Sequence, residues 1–115
     1  MPLARISTNA PLDETAQGEI CRGLSEILSR EIGKPEQYIM TVLENCRMLM
    51  SARDGNAAFV DVRSIGGLSP EVNTAVSSSV CDLLKAKADV PPERIYVVFT
   101  DVPRESWAWK GSTFG

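Results

Sequence analysis

The chain reads as an α/β protein: two β-α-β units in tandem, building a four-stranded mixed sheet with two helices on one face. Three observations predict this. Two segments carry apolar residues at helical spacing, and each lies between two β-rich segments. The apolar positions of the two helices superpose, with Ile20, Leu24, Ile27 and Leu28 falling over Val76, Val80, Leu83 and Leu84 at one constant offset. The segments that follow the helices also match: Pro-Glu-Gln-Tyr-Ile at 35–39 against Pro-Glu-Arg-Ile-Tyr at 92–96, one residue further on.

Residues 3–8 are the first predicted strand. Asp13 is placed to cap a helix running to about Ile32, with Ala16, Ile20, Leu24, Ile27, Leu28 and Ile32 along one stripe. Gly33 and Pro35 are its stop signals. Tyr38 to Cys46, rich in apolar and β-branched residues, is the second strand. Asp54-Gly55-Asn56 signals a turn. Ala57 to Ile65 then alternates, with Ala58, Val60 and Val62 on one face and Asp61 and Arg63 on the other. Gly66-Gly67 breaks that strand. Ser69-Pro70-Glu71 opens the second helix with a hydroxyl cap, a proline at the first helical position and an acid against the dipole. That helix carries Val72, Val76, Val80, Leu83 and Leu84 and ends before Pro91-Pro92. Ile95 to Phe99 suits a strand buried on both faces. Each crossover should leave its two strands parallel.

With 115 residues, 43% hydrophobic and 23% charged, the chain fits one domain spanning 1–115. A net charge of −3 supplies no basic footprint for nucleic acid or an acidic membrane. No apolar run approaches the roughly 20 residues needed to cross a bilayer, and the start lacks the long apolar stretch of a signal peptide. The expected location is the cytoplasm. Cys21, Cys46 and Cys81 are widely spaced and odd in number, which argues for free thiols over disulfides or a zinc site. No metal and no cofactor is expected. Two helices cover only one face of a four-stranded sheet. The second and fourth strands are apolar on both sides, so another copy of the chain is the expected cover. Met48-Leu49-Met50 and the two late tryptophans strengthen that expectation.

Chemistry points to the start of the chain. Proline follows Met1, and there is no histidine. Removal of Met1 would leave Pro2 with a free secondary amine. An α-amino group titrates near pH ~8, and burial or a nearby cation lowers that value. A neutral amine near pH 7 is a usable general base, and no other side chain here titrates there unperturbed.

Met1-Pro2, Thr8-Asn9, Gly33-Lys34-Pro35 with Tyr38-Ile39-Met40, Ser64-Ile65-Gly66-Gly67, Arg94-Ile95-Tyr96 and Trp109-Lys110-Gly111-Ser112-Thr113-Phe114-Gly115 stand in order along the chain. In that ordered combination the chain resembles the macrophage migration inhibitory factor family of the tautomerase superfamily, over its whole length. The resemblance implies a homotrimer with its sheets around a central channel and active sites at the subunit interfaces. It implies an isomerase, a keto-enol tautomerase of phenylpyruvate-like 2-keto acids. Pro2 would be the catalytic base. Lys34 would hold the substrate carboxylate and help lower the proline pKa. Ser64 and Ile65 would line the pocket, the Ile65 backbone N–H giving a hydrogen bond. Tyr96 would come from the neighbouring subunit, and Trp109 and Phe114 would wall the apolar rim. The alternative within the family is a cytokine-like binding protein with a residual pocket, its receptor unknown. Release from cells without a signal peptide is also within the family's range.

Three departures stand out. Ala57-Ala58-Phe59-Val60 lies where some members carry a C-x-x-C pair. Val98 replaces an asparagine able to meet a substrate ring hydroxyl. Met50-Ser51-Ala52-Arg53 replaces a Phe-Gly-Gly loop, which changes the expected pocket rim.

Overall fold

A computed structural model describes all 115 residues. Strand β1 spans Pro2–Thr8 and is followed by helix α1, Glu14–Ile32, and strand β2, Met40–Asn45. Strand β3, Ala58–Ser64, helix α2, Pro70–Ala88, and strand β4, Ile95–Asp101, repeat the pattern. The strand order is β2-β1-β3-β4. Each unit's own strands are parallel, and the central pair β1 and β3 is antiparallel. The expected β-α-β duplication is therefore present. No helix is long and apolar enough to cross a membrane.

Both helices start where side chains satisfy free backbone N–H groups. Asp13 accepts a hydrogen bond from the Ala16 N–H at 2.8 Å, and Ser69 accepts one from the Val72 N–H at 3.1 Å. Both end on a left-handed residue, Gly33 and Asp89. α1 buries Ile20, Leu24, Ile27, Leu28 and Ile32, and α2 buries Val76, Val80, Leu84 and Ala88. They close over Ala4, Ile6, Ala58, Val60 and Val62 from the same face of the central strands.

The opposite face is uncovered in a single copy of the chain, and it carries Asp61, Arg63 and the apolar residues of the second and fourth strands as expected. Its apolar residues lie towards the edge strands, with Met40, Tyr96 and Val98 exposed. Its middle is charged instead. Arg5 reaches Glu44 at 3.4 Å and Asp61 at 3.8 Å, and Arg63 reaches Asp61 at 3.1 Å. Alternation puts these side chains on one face, and the pairs let the open side of the sheet carry charge in water.

Strand limits differ from those expected, with β3 one residue shorter at each end and β4 running on to Asp101. The second strand begins at Met40, not Tyr38, because Glu36–Tyr38 forms a short 3-10 turn after Pro35. A small hairpin follows β4, with β5 at Ala108–Trp109 and β6 at Ser112–Thr113. Its turn residues Lys110 and Gly111 have φ of 53° and 82°. Thr8 and Asn9 tie β1 to the approach to β3. Thr8 Oγ1 donates to the Ala57 carbonyl at 2.7 Å, and Asn9 accepts from the Ala57 N–H while donating to the Gly55 carbonyl, both at 2.8 Å.

Candidate active site

The start of β1, the end of α1 and the C-terminal hairpin converge at one end of the sheet. Pro2 opens β1 opposite Ser64, and its side chain is fully buried. Two clefts share Met1. The first, about 300 Å³, is mostly apolar: Pro2 and Leu3 line it with Gln37 to Met40 and with Trp107 to Trp109. The second, about 320 Å³, is lined by Met1, Lys34, Ile65, Arg104 and Phe114.

An aromatic wall runs between the two clefts. The Tyr38 ring meets Trp109 edge-on at 6.0 Å and 89°. Trp109 stacks on Phe114 at 6.5 Å and 9°. Lys110 places its ammonium 4.5 Å from the Trp109 ring centre.

Met1 occupies the ground between the clefts. Its carbonyl accepts the Ile65 N–H at 3.3 Å. Its α-amine is held below the ordinary value, first by partial burial and then by the Lys34 charge. An amine at this end of the chain is thus already in surroundings that favour its neutral form. Lys34 enters none of the ion pairs of the chain. Its own carbonyl accepts from the Ser29 hydroxyl at 2.7 Å, which fixes the backbone beyond α1.

Of the residues expected at the site, Pro2 and Trp109 line the first cleft, and Lys34, Ile65 and Phe114 the second. Ser64 lines neither. Its buried hydroxyl donates to the Gly66 carbonyl at 2.7 Å, so it shapes the loop that presents Ile65. Tyr96 and Val98 are also absent from both clefts. They sit on the far edge strand and alternate onto the open face, and one copy of the chain does not bring them to Pro2.

Tyr38, Met40, Trp107 and Arg104 line the clefts without having been singled out as site residues. Tyr38 was assigned to a strand. The signal for it was Pro35 followed by Glu36, which starts a turn. Trp107 carried a weaker signal as the first of two closely spaced tryptophans. Arg104 carried none.

The family model described as macrophage migration inhibitory factor matches residues 1–115. The chain is 31% identical to the macrophage migration inhibitory factor of Meriones unguiculatus, covering 99% of each chain. It resembles the crystal structure of a macrophage migration inhibitory factor-like protein from Entamoeba histolytica, with a TM-score of 0.95, 33% identity and 98% of each chain covered. A homologue from Prochlorococcus marinus superposes with a TM-score of 0.92 at 37% identity, covering 98% of this chain and 99% of the other.

Proposed function

Because the chain belongs to the macrophage migration inhibitory factor family, we propose that it is a keto-enol tautomerase of phenylpyruvate-like 2-keto acids, with Pro2 as its base once Met1 is removed. The position of Met1 carries this reading. Its carbonyl takes the Ile65 N–H, its amine lies in the field of Lys34, and it lines both clefts. Removing it would free the Pro2 amine and the Ile65 N–H together and join an apolar cleft to a cationic one. Such a pocket suits an aryl group at one end and a carboxylate at the other.

The neutral Pro2 nitrogen takes a proton from C3 of the substrate. The C–H electron pair becomes the C2–C3 double bond, and the carbonyl pair moves onto the C2 oxygen, which takes a proton from solvent water to give the enol, while protonated Pro2 returns its proton to solvent. Ketonisation runs the same steps backwards, with protonated Pro2 as the acid. Lys34 holds the carboxylate, so C3 lies beside the nitrogen. The same cation and the burial of Pro2 keep the amine neutral at lower pH. Activity as a base therefore rises as pH passes through a value below the ordinary α-amine range.

The homotrimer belongs to this proposal, with the neighbouring copy's Tyr96 and Val98 completing the pocket. The exposed apolar edges of the open face support it. A second reading, a cytokine-like binding protein with a residual pocket, rests on the name carried by the relatives.

The test is a phenylpyruvate tautomerase assay on protein whose mass shows Met1 absent. Pro2→Gly, or retention of Met1, should lower kcat/KM by at least about 100-fold, with the sedimentation behaviour unchanged. Full activity in correctly processed Pro2→Gly protein would sink the mechanism. Turnover that is negligible in the wild type favours the binding reading.

A further inference from the structure

Arg104 stands in the same cleft as Lys34 and the Ile65 backbone, at the start of the short turn Arg104–Ser106 that follows Pro103. Three features make it more than a surface charge. First, neither it nor Lys34 is held by an ion pair, so both charges are free to meet a ligand. Second, no acidic residue lines the cleft, so two cations face one open volume with nothing of opposite sign among its walls. Third, the backbone that carries it is held on both sides. The Trp107 N–H donates to the Arg104 carbonyl at 3.4 Å, and the Phe114 N–H donates to the Trp107 carbonyl at 3.1 Å. Gly115 packs so closely on Glu105 that a Cβ there would lie 2.7 Å from its backbone nitrogen.

Two cations in one open cleft repel each other, and an anionic ligand removes that cost. A guanidinium offers a planar fork that pairs with both oxygens of a carboxylate, and an ammonium offers a point charge. We propose that Arg104 is a second carboxylate-binding residue of this cleft, sharing the anion with Lys34. On the tautomerase reading, on which this role in turnover rests, the charges then match along the reaction. The substrate enters with one negative charge on its carboxylate. Loss of the C3 proton puts a second on the C2 oxygen, and the pair of cations balances that dianion where one cation would not.

The experiment uses Met1-free protein and two unreactive probes, cinnamate and its neutral isostere cinnamamide, with binding followed through tryptophan fluorescence. Arg104→Ala and Arg104→Gln should each weaken cinnamate about tenfold, the scale of a charge-assisted bond, and leave cinnamamide unchanged. Equal losses for the two probes, or no loss for cinnamate, overturn the assignment. So does a wild type that binds neither probe. The cinnamate contrast can hold in a protein that does not turn over phenylpyruvate. That result supports the role of Arg104 and removes the tautomerase reading alone.

Discussion

The two β-α-β units share one plan and use the far end of the helix in opposite ways. Both helices run 19 residues and stop on a left-handed residue, Gly33 at φ 80° and Asp89 at φ 54°. Both are followed by a proline, a short 3-10 turn and a strand parallel to the unit's first. In the second unit the turn carries Arg94, whose guanidinium donates to four carbonyls of the preceding loop: Asn56 and Arg53 at 3.0 Å, Gly55 at 3.2 Å and Met50 at 3.4 Å. The matching position of the first unit is Gln37, which lines the apolar cleft, and the nearby cation is Lys34, which meets no acid. A cation with four of its five N–H donors taken by backbone carbonyls is a clamp. A cation left without a partner, at the mouth of a cleft, is free to meet a ligand. One duplicated fragment thus supplies both a structural end and a chemical end.

The largest expected effect comes from breaking the clamp. Arg94→Ala leaves carbonyls of the 50–56 loop without their donor and should cost about 2–3 kcal/mol, read as a lowered urea midpoint at unchanged slope. Lys34→Ala tests the other end. Its stability should change by less than about 0.5 kcal/mol. Its KM for phenylpyruvate should rise about tenfold, with the acid limb of the pH profile moving upward, because the cation that disfavours protonated amine is gone. An unmoved limb with unchanged KM would show that Lys34 does not act on the site.

A smaller effect concerns the loop that Arg94 holds. Met50 and Arg53 exchange backbone hydrogen bonds at 3.1 and 3.3 Å across Ser51 and Ala52, both at φ 57°. A two-residue hairpin of this type wants φ above zero at both central residues, and side chains there pay roughly 1–2 kcal/mol each. Replacing the pair by Gly-Gly should raise stability by about 1 kcal/mol net of the extra freedom glycine gives the unfolded chain. A loss of stability would mean that the side chains of Ser51 and Ala52 make up for their strain. The smallest effect tests how the second unit serves its neighbour. Val98→Asn should shift the ratio of kcat/KM for para-hydroxylated over plain phenylpyruvate by about threefold in favour of the hydroxylated substrate. An unmoved ratio would place Val98 away from the ring hydroxyl.

The helices and the central strands were legible because their signals are local and repeated: a cap, a 3.6-residue stripe, a glycine or proline stop. The cleft was legible only in part. Pro2 could be read from its place behind Met1 in a chain without histidine, whereas Lys34, by position an ordinary helix-end cation, was named only through the family resemblance. Tyr38 was misplaced because an aromatic residue before Ile39 has strand character, and only the proline three residues earlier turns it into a 3-10 bend. On the open face, Asp61, Arg63 and the apolar edge strands were legible, but the ion pairs were not, because Arg5, Glu44 and Asp61 come from three strands and a charge network across strands has no pattern along the chain. The C-terminal hairpin has strands of two residues each, too short for any periodicity to register.

The stem of Lys34 lies across Gly67, with its Cε 3.4 Å from where a Cβ would stand and the Ile32 side chain only 2.8 Å from the same point. A lysine in open water samples many rotamers and carries about 2 kcal/mol of side-chain entropy. Here a bare stretch of backbone at φ 77° leaves a channel for the stem, so part of that freedom is surrendered when the protein folds. On the proposed reading, an arriving anion meets an ammonium that is already parked, and less of its binding energy goes into ordering the protein. Affinity would then be set partly by a residue with no side chain and no charge.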